Sequence, residues 1–203
     1  MENKSIREKC LPYNELTLRR LAITATVMYI WILLWALLFK LGNENLLVNN
    51  YANLKDMTVM ERIMWDIVPF NYRGEGLYKT KIIMDTVMNC FVFAPLGVAL
   101  GYLFKKTNVL RDVVICLGFS FAIETIQLMT MLGNFATEDL ITNTVGYFIG
   151  FVIYRFGLAR LSVKHSVIFL GFVNVAFFAI VFYSCFTTVS SAETIFKILT
   201  HTL

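Results

Sequence analysis

Apolar residues in this chain come in long blocks separated by short polar segments, and the blocks define the architecture. They cover residues 19–41, 82–104, 112–132, 140–156 and 166–186. Each is close to the roughly 20 residues a helix needs to cross hydrocarbon. A core helix of a soluble protein would alternate faces and stop sooner. The pattern predicts an all-α protein, a polytopic transmembrane helix bundle of five spans with no sizeable soluble domain. The first block follows a basic head, exceeds a signal-peptide apolar core and has no small-residue cleavage site behind it, so it reads as an uncleaved anchor. The fourth is short and polar at its start.

The longest polar stretch, residues 42–80, has its own periodicity. Leu54, Met57, Met60, Met64 and Ile67 recur at helical spacing, with Lys55, Asp56, Glu61, Arg62 and Asp66 between them. Asn53 is placed to cap this helix, Pro69 to end it, and Trp65 suits a membrane–water boundary. The spacing predicts a helix lying in the interface or, equally, a short helix packed in an ordered loop. The tail carries a weakly amphipathic segment near Ile195–Leu199.

Composition agrees with block length. Apolar residues make up 58% of the chain and charged ones 16%, against roughly 45–50% and 25% in soluble domains. The net charge of +4 comes from Lys and Arg beside the apolar blocks, which leaves no surface for nucleic acid and makes them topology signals. Lys4, Arg7, Lys9, Arg19 and Arg20 precede the first span; Lys105, Lys106 and Arg111 join the second and third; Arg155, Arg160 and Lys164 join the fourth and fifth. Residues 133–139 have none. The expected orientation is therefore N-terminus cytoplasmic and C-terminus outside. The domain reading is a cytoplasmic head over 1–18, a membrane domain over 19–157, and a fifth span with outer tail over 158–203.

Cys10, Cys90, Cys116 and Cys185 stand singly, so neither a zinc site nor a disulfide framework is indicated. The chain also lacks a phosphate-cradling loop and a nucleophile turn, and no cofactor or metal is expected.

Ionisable groups inside spans cost roughly 2.5–3.5 kcal/mol and are functional candidates. Here they share a depth. Asp85 and Asn89 lie four apart in the second span; Ser120, Glu124 and Gln127 share a face in the outer half of the third; Asp139 and Asn143 lie four apart entering the fourth. The orientation puts all of them near the outer leaflet. One reading is an acidic, water-accessible pocket open to the outside, with Asp85, Asn89, Glu124, Gln127, Asp139 and Asn143 binding a ligand. The other is a hydrogen-bond network that only holds helices together, at about 0.6 kcal/mol per contact. Gly97 with Gly101, and Gly146 with Gly150, have the spacing of close helix approach, and Pro95 is expected to kink the second span.

These segments resemble the VanZ-like family of bacterial membrane proteins. The resemblance rests on Asp66-Ile67-Val68-Pro69-Phe70, Asn89-Cys90-Phe91-Val92-Phe93-Ala94-Pro95-Leu96-Gly97, Ser120 with Glu124-Thr125-Ile126-Gln127, and Asp139-Leu140-Ile141-Thr142-Asn143-Thr144-Val145-Gly146 followed by Gly150. It covers roughly residues 20–157. It implies an all-helical domain of the bacterial cell membrane and, for the family's namesake, resistance to the glycopeptide teicoplanin. Relatives often carry an Arg and an extra Asp just before the Asp139 position. Here the sequence reads Gly133-Asn134-Phe135-Ala136-Thr137-Glu138, which leaves Arg73 of the outer loop as a substitute.

Two functions follow as expectations. In the first, the pocket binds a lipid-linked cell-wall intermediate or a lipoglycopeptide at the bilayer surface without chemistry. In the second, the protein is a membrane-embedded enzyme modifying a lipid-linked substrate, with Glu124 as candidate catalytic acid or base. A transporter fits worse, since the span number is odd and no inverted repeat shows.

Overall fold

The structure is a computed structural model describing residues 13–64, 77–104, 108–133 and 135–200. Every regular element among them is helical: α1 (Glu15–Leu38), α2 (Glu44–Leu54), α3 (Val59–Met64), α4 (Leu77–Leu103), α5 (Val109–Thr130), α6 (Thr137–Phe156), α7 (Val163–Ser190) and α8 (Ala192–Leu199). Four helices, in α1, α4, α5 and α7, are long and apolar enough to cross a membrane. The 20-residue α6 is more polar, with Glu138 and Asp139 in its first turn and Arg155 in its last.

Helix starts follow local capping chemistry. Asn14, Asn108 and Ser162 accept backbone N–H bonds at the starts of α1, α5 and α7. The α6 start has no side-chain cap of its own.

The side-chain bonds set helix directions. Asn174 donates to the Leu21 carbonyl at 3.1 Å and Trp31 to the Ser184 hydroxyl at 2.8 Å, a constant offset that makes α1 and α7 parallel. Thr86 pairs with Glu138 and Cys90 with the Thr142 carbonyl, so α4 and α6 are also parallel. Asn143 meets Ser120 while Ala136 meets Glu124, which makes α5 antiparallel to α6. The core passes between these pairs through Leu33, Phe93, Ile123 and Tyr147.

The α4–α6 contact is the closest in the molecule, and glycine explains it. A Cβ on Gly97 would collide with the Tyr147 carbonyl, one on Gly146 with the Cys90 carbonyl, and one on Gly150 with the Ala94 carbonyl. Backbone meets backbone along this seam, as small residues allow in helix pairs. Pro95 lies inside α4 and leaves the Phe91 carbonyl without its helical donor. Beside it, the Tyr29 hydroxyl donates to the Val92 carbonyl.

The segment between α1 and α4 departs from expectation. In place of one helix beginning at a capping Asn53, its described residues hold two. Asn43 caps the first by accepting from Leu46 N at 3.2 Å, and Asn53 falls inside that helix. Thr58 and Glu61 then cap α3 reciprocally: Glu61 N donates to the Thr58 hydroxyl at 3.2 Å and Thr58 N donates to Glu61 Oε2 at 2.7 Å. This second cap breaks the apolar periodicity between Leu54 and Val59. Trp65, Asp66, Ile67, Pro69 and Arg73 lie outside the described residues.

The helix α8 packs onto α2 through Ile195 and Ile198, against Leu47 and Tyr51. The connection is tight at Gly42, where φ is +72° and a Cβ would come within 2.8 Å of the Thr187 Cβ. Short helices α2, α3 and α8 thus cap one end of the bundle.

Candidate functional site

The capped end holds most of the polar side chains singled out in the sequence. On α5, Ser120, Glu124 and Gln127 recur at helical spacing and are all buried, at 0%, 2% and 5% exposure. On α6, Asn143 is buried and Asp139 half-buried one turn away. Asn89 faces them from α4. The side chain of Asp85 lies outside the described residues.

Three bonds stitch the layer together. The Asn143 amide donates from Nδ2 to Ser120 Oγ at 2.8 Å. Asn89 Nδ2 donates to Asp139 Oδ1 at 2.6 Å, a short distance suited to a charge-assisted bond. Thr86 Oγ1 donates to Glu138 Oε1 at 3.2 Å. Glu124 plays a double part. Its Oε2 accepts from Ala136 N at 3.0 Å, supplying from α5 the N-terminal cap that α6 lacks. A carboxylate there also complements the positive end of the α6 dipole. Gln127 turns the other way, donating to the Leu37 carbonyl at the end of α1 at 2.9 Å.

Asn89, Glu124, Asp139 and Asn143 therefore each take part in a bond that joins neighbouring helices, and Gln127 ties α5 to α1. Four arginines lie at the far end: Arg19 and Arg20 begin α1, Arg111 begins α5, and Arg155 ends α6. At that end Arg111 pairs with Asp112 at 2.6 Å and stacks over the Phe104 ring at 4.2 Å.

One site residue escaped the sequence pattern. Arg62 of α3 is 4% exposed, although its neighbours in the sequence suggested a solvated helix face. Its Nη1 donates to the Leu128 carbonyl at 2.8 Å, in the last turn of α5. Asn50 makes a parallel contact from α2, donating to the Leu132 carbonyl at 2.9 Å. A cation at a helix C-terminus is favourable by charge, and the chain turns there through Met131 in the left-handed region, φ 56°. Burial of Arg62 arises from docking of α3 on α5, which no local spacing encodes.

Below the layer, α6 turns an open apolar groove outward, lined by Thr144, Val145, Phe148, Ile149, Val152 and Ile153. It starts at the residue after Asn143. Among the described residues no cluster of His, Cys, Asp or Glu has the arrangement of a metal site.

A family model described as VanZ/LLP1 matches residues 26–160. Protein VanZ of Enterococcus faecium is 29% identical over 147 residues, which cover 71% of this chain and 81% of that protein. No solved structure matches. The matched stretch includes the whole polar layer and stops before α7.

Proposed function

Because the chain belongs to the VanZ/LLP1 family, we propose that it is a multi-pass protein of the bacterial cell membrane that contributes to resistance against teicoplanin-type glycopeptides. In this reading α1, α4, α5, α6 and α7 all cross the bilayer, with the N-terminus cytoplasmic and the capped end outside. The alternating helix directions support five crossings, and the basic residues at the uncapped end support the orientation. The polar start of α6 is compatible with a crossing because its polar face is turned to α4 and α5 rather than to lipid.

The polar layer would bind a lipid-linked envelope component or the drug itself. The observation that carries this is that Asn89, Asp139, Ser120, Asn143 and Glu124 all make interhelical bonds towards one end of the bundle. Pure helix adhesion needs less: the glycine seam already joins α4 to α6 by close packing. Buried polar groups beside an apolar groove are what an amphiphilic ligand requires.

The test is expression of the gene in a susceptible bacterial host, scored by teicoplanin and vancomycin susceptibility. The expected result is a rise in teicoplanin tolerance that Glu124→Gln and Asp139→Asn both remove at unchanged membrane levels. Tolerance retained in both variants contradicts the reading.

A further inference from the structure

The apolar face of α7 does not stop where α7 does. Phe178, Phe182, Val189 and Phe196 follow one another at four- and seven-residue steps, the spacing of one helix face. They are 67%, 73%, 75% and 66% exposed. Ser191, between α7 and α8, interrupts the helix only locally: its N–H donates to the Thr187 carbonyl, and its own carbonyl accepts from Ile195 N, both at 3.0 Å. Within α8 the side chains sort into three edges. Ile195 and Ile198 are buried against α2. Ala192, Phe196 and Leu199 are exposed beside them. Glu193 pairs with Lys197 at 2.6 Å on the edge opposite α2. The Ser191 hydroxyl donates to the Gly42 carbonyl at 3.0 Å, which fixes α8 at its start as well as along its buried edge. Rolling Phe196 inward would expose Ile195 and Ile198.

We propose that the Phe196 edge of α8 is a lipid-binding surface: Phe196 and Leu199 insert among lipid headgroups at the capped end, while Glu193 and Lys197 stay in water. Length sets the depth. At about 1.5 Å per residue the 28 residues of α7 run roughly 42 Å, which matches the roughly 40–45 Å of a bilayer with both headgroup layers. The helix α8 therefore begins in a headgroup layer, and any tilt of α7 draws it deeper. A short helix with an aromatic, aliphatic edge beside a charged one is the chemistry that partitions to that layer. Pairing of Lys197 with Glu193 leaves the charged edge neutral, so apolar burial supplies the affinity in place of attraction to anionic lipid. Because α2 rests on Ile195 and Ile198, the same contact holds the cap at the membrane surface. The inference rests on α7 crossing the bilayer and is independent of any ligand and of which end faces outside.

Nitroxide labels on single cysteines test it: Phe178→Cys, Glu193→Cys, Phe196→Cys and Leu199→Cys, each in the full chain with its native cysteines replaced, in phosphatidylcholine nanodiscs. Access of oxygen, which concentrates in lipid, is compared with access of a water-soluble nickel chelate. Position 178, midway along α7, should favour oxygen strongly, and position 193 should favour nickel. Positions 196 and 199 should give oxygen-to-nickel ratios several-fold above that of 193 and below that of 178. These ratios should hold when phosphatidylglycerol is added to the nanodiscs. Ratios at 196 and 199 equal to that at 193 overturn the proposal, because the edge then faces water. Labels at 196 and 199 shielded from both reagents overturn it as well, because protein then covers the edge. Dependence on phosphatidylglycerol overturns its apolar basis. Nickel access at 178 would show instead that α7 does not cross, and the inference falls with that reading.

Discussion

Glu124 is the residue on which most of the local structure converges. It is buried in the C-terminal half of α5 and caps the start of α6 through the Ala136 N–H. Replacing it by Gln keeps an acceptor but removes the charge, and a bond to a charged group is worth about 1.5–3 kcal/mol. Glu124→Gln should therefore lower stability modestly, and Glu124→Ala by more, as read from thermal unfolding in detergent. A stability unchanged in Glu124→Ala would show that the α6 start does not depend on it. At this scale the sequence was informative where spacing alone decides. Residues four apart on one helix share a face, so Ser120 with Glu124 and Asp139 with Asn143 could be paired in advance. Arg62 could not, because its burial depends on where α3 lands. The partner of Glu124 was equally hidden, since a backbone N–H carries no residue signature.

At the scale of elements, the glycine seam and the cap of α3 behave differently. Gly150 has the Ala94 carbonyl against its Cα, so Gly150→Ala must push α4 and α6 apart. Overpacking of this kind costs about 1–3 kcal/mol, and the same change at Gly118, which has open space around it, should be tolerated. Comparing thermal midpoints of the two variants checks the seam. The cap of α3 is electrostatic. Bonds from the Thr58 backbone N–H and then its hydroxyl hold the Glu61 carboxyl below its usual range. A lowered carboxylate pKa contributes stability that is present above the ordinary value and is lost as pH falls through the lowered one. Amides of α3 should therefore exchange faster with deuterium on acidification, after correction for intrinsic rate, and Glu61→Gln should abolish that dependence. A flat profile in the wild type would contradict it. The Met57, Met60 and Met64 periodicity suggested one continuous helix capped at Asn53, and the Thr58–Glu61 cap was not anticipated. Capping chemistry prevailed because a reciprocal cap satisfies backbone donors at the helix start, while Met60, which is exposed, has little to bury.

For the whole molecule, the all-helical bundle could be read from block length, since hydrocarbon thickness fixes how many apolar residues a crossing helix needs. The role of α6 was less legible. By hydropathy it falls below the four clearly apolar helices, and its polar start makes sense only once Asp139 is seen against Asn89 and Asn143 against Ser120. Folding places the polar layer at one end and Arg19, Arg20, Arg111 and Arg155 at the other, a separation that supports the proposed direction across the bilayer. The account needs the polar end to face outward and to be reachable from there. Cysteines introduced singly in place of Glu138 and Arg155, at the two ends of α6 in a chain whose native cysteines are replaced, make the most direct measurement. In intact cells a membrane-impermeant maleimide should label position 138, and position 155 only after permeabilisation. Labelling of 155 in intact cells with 138 protected would contradict the account.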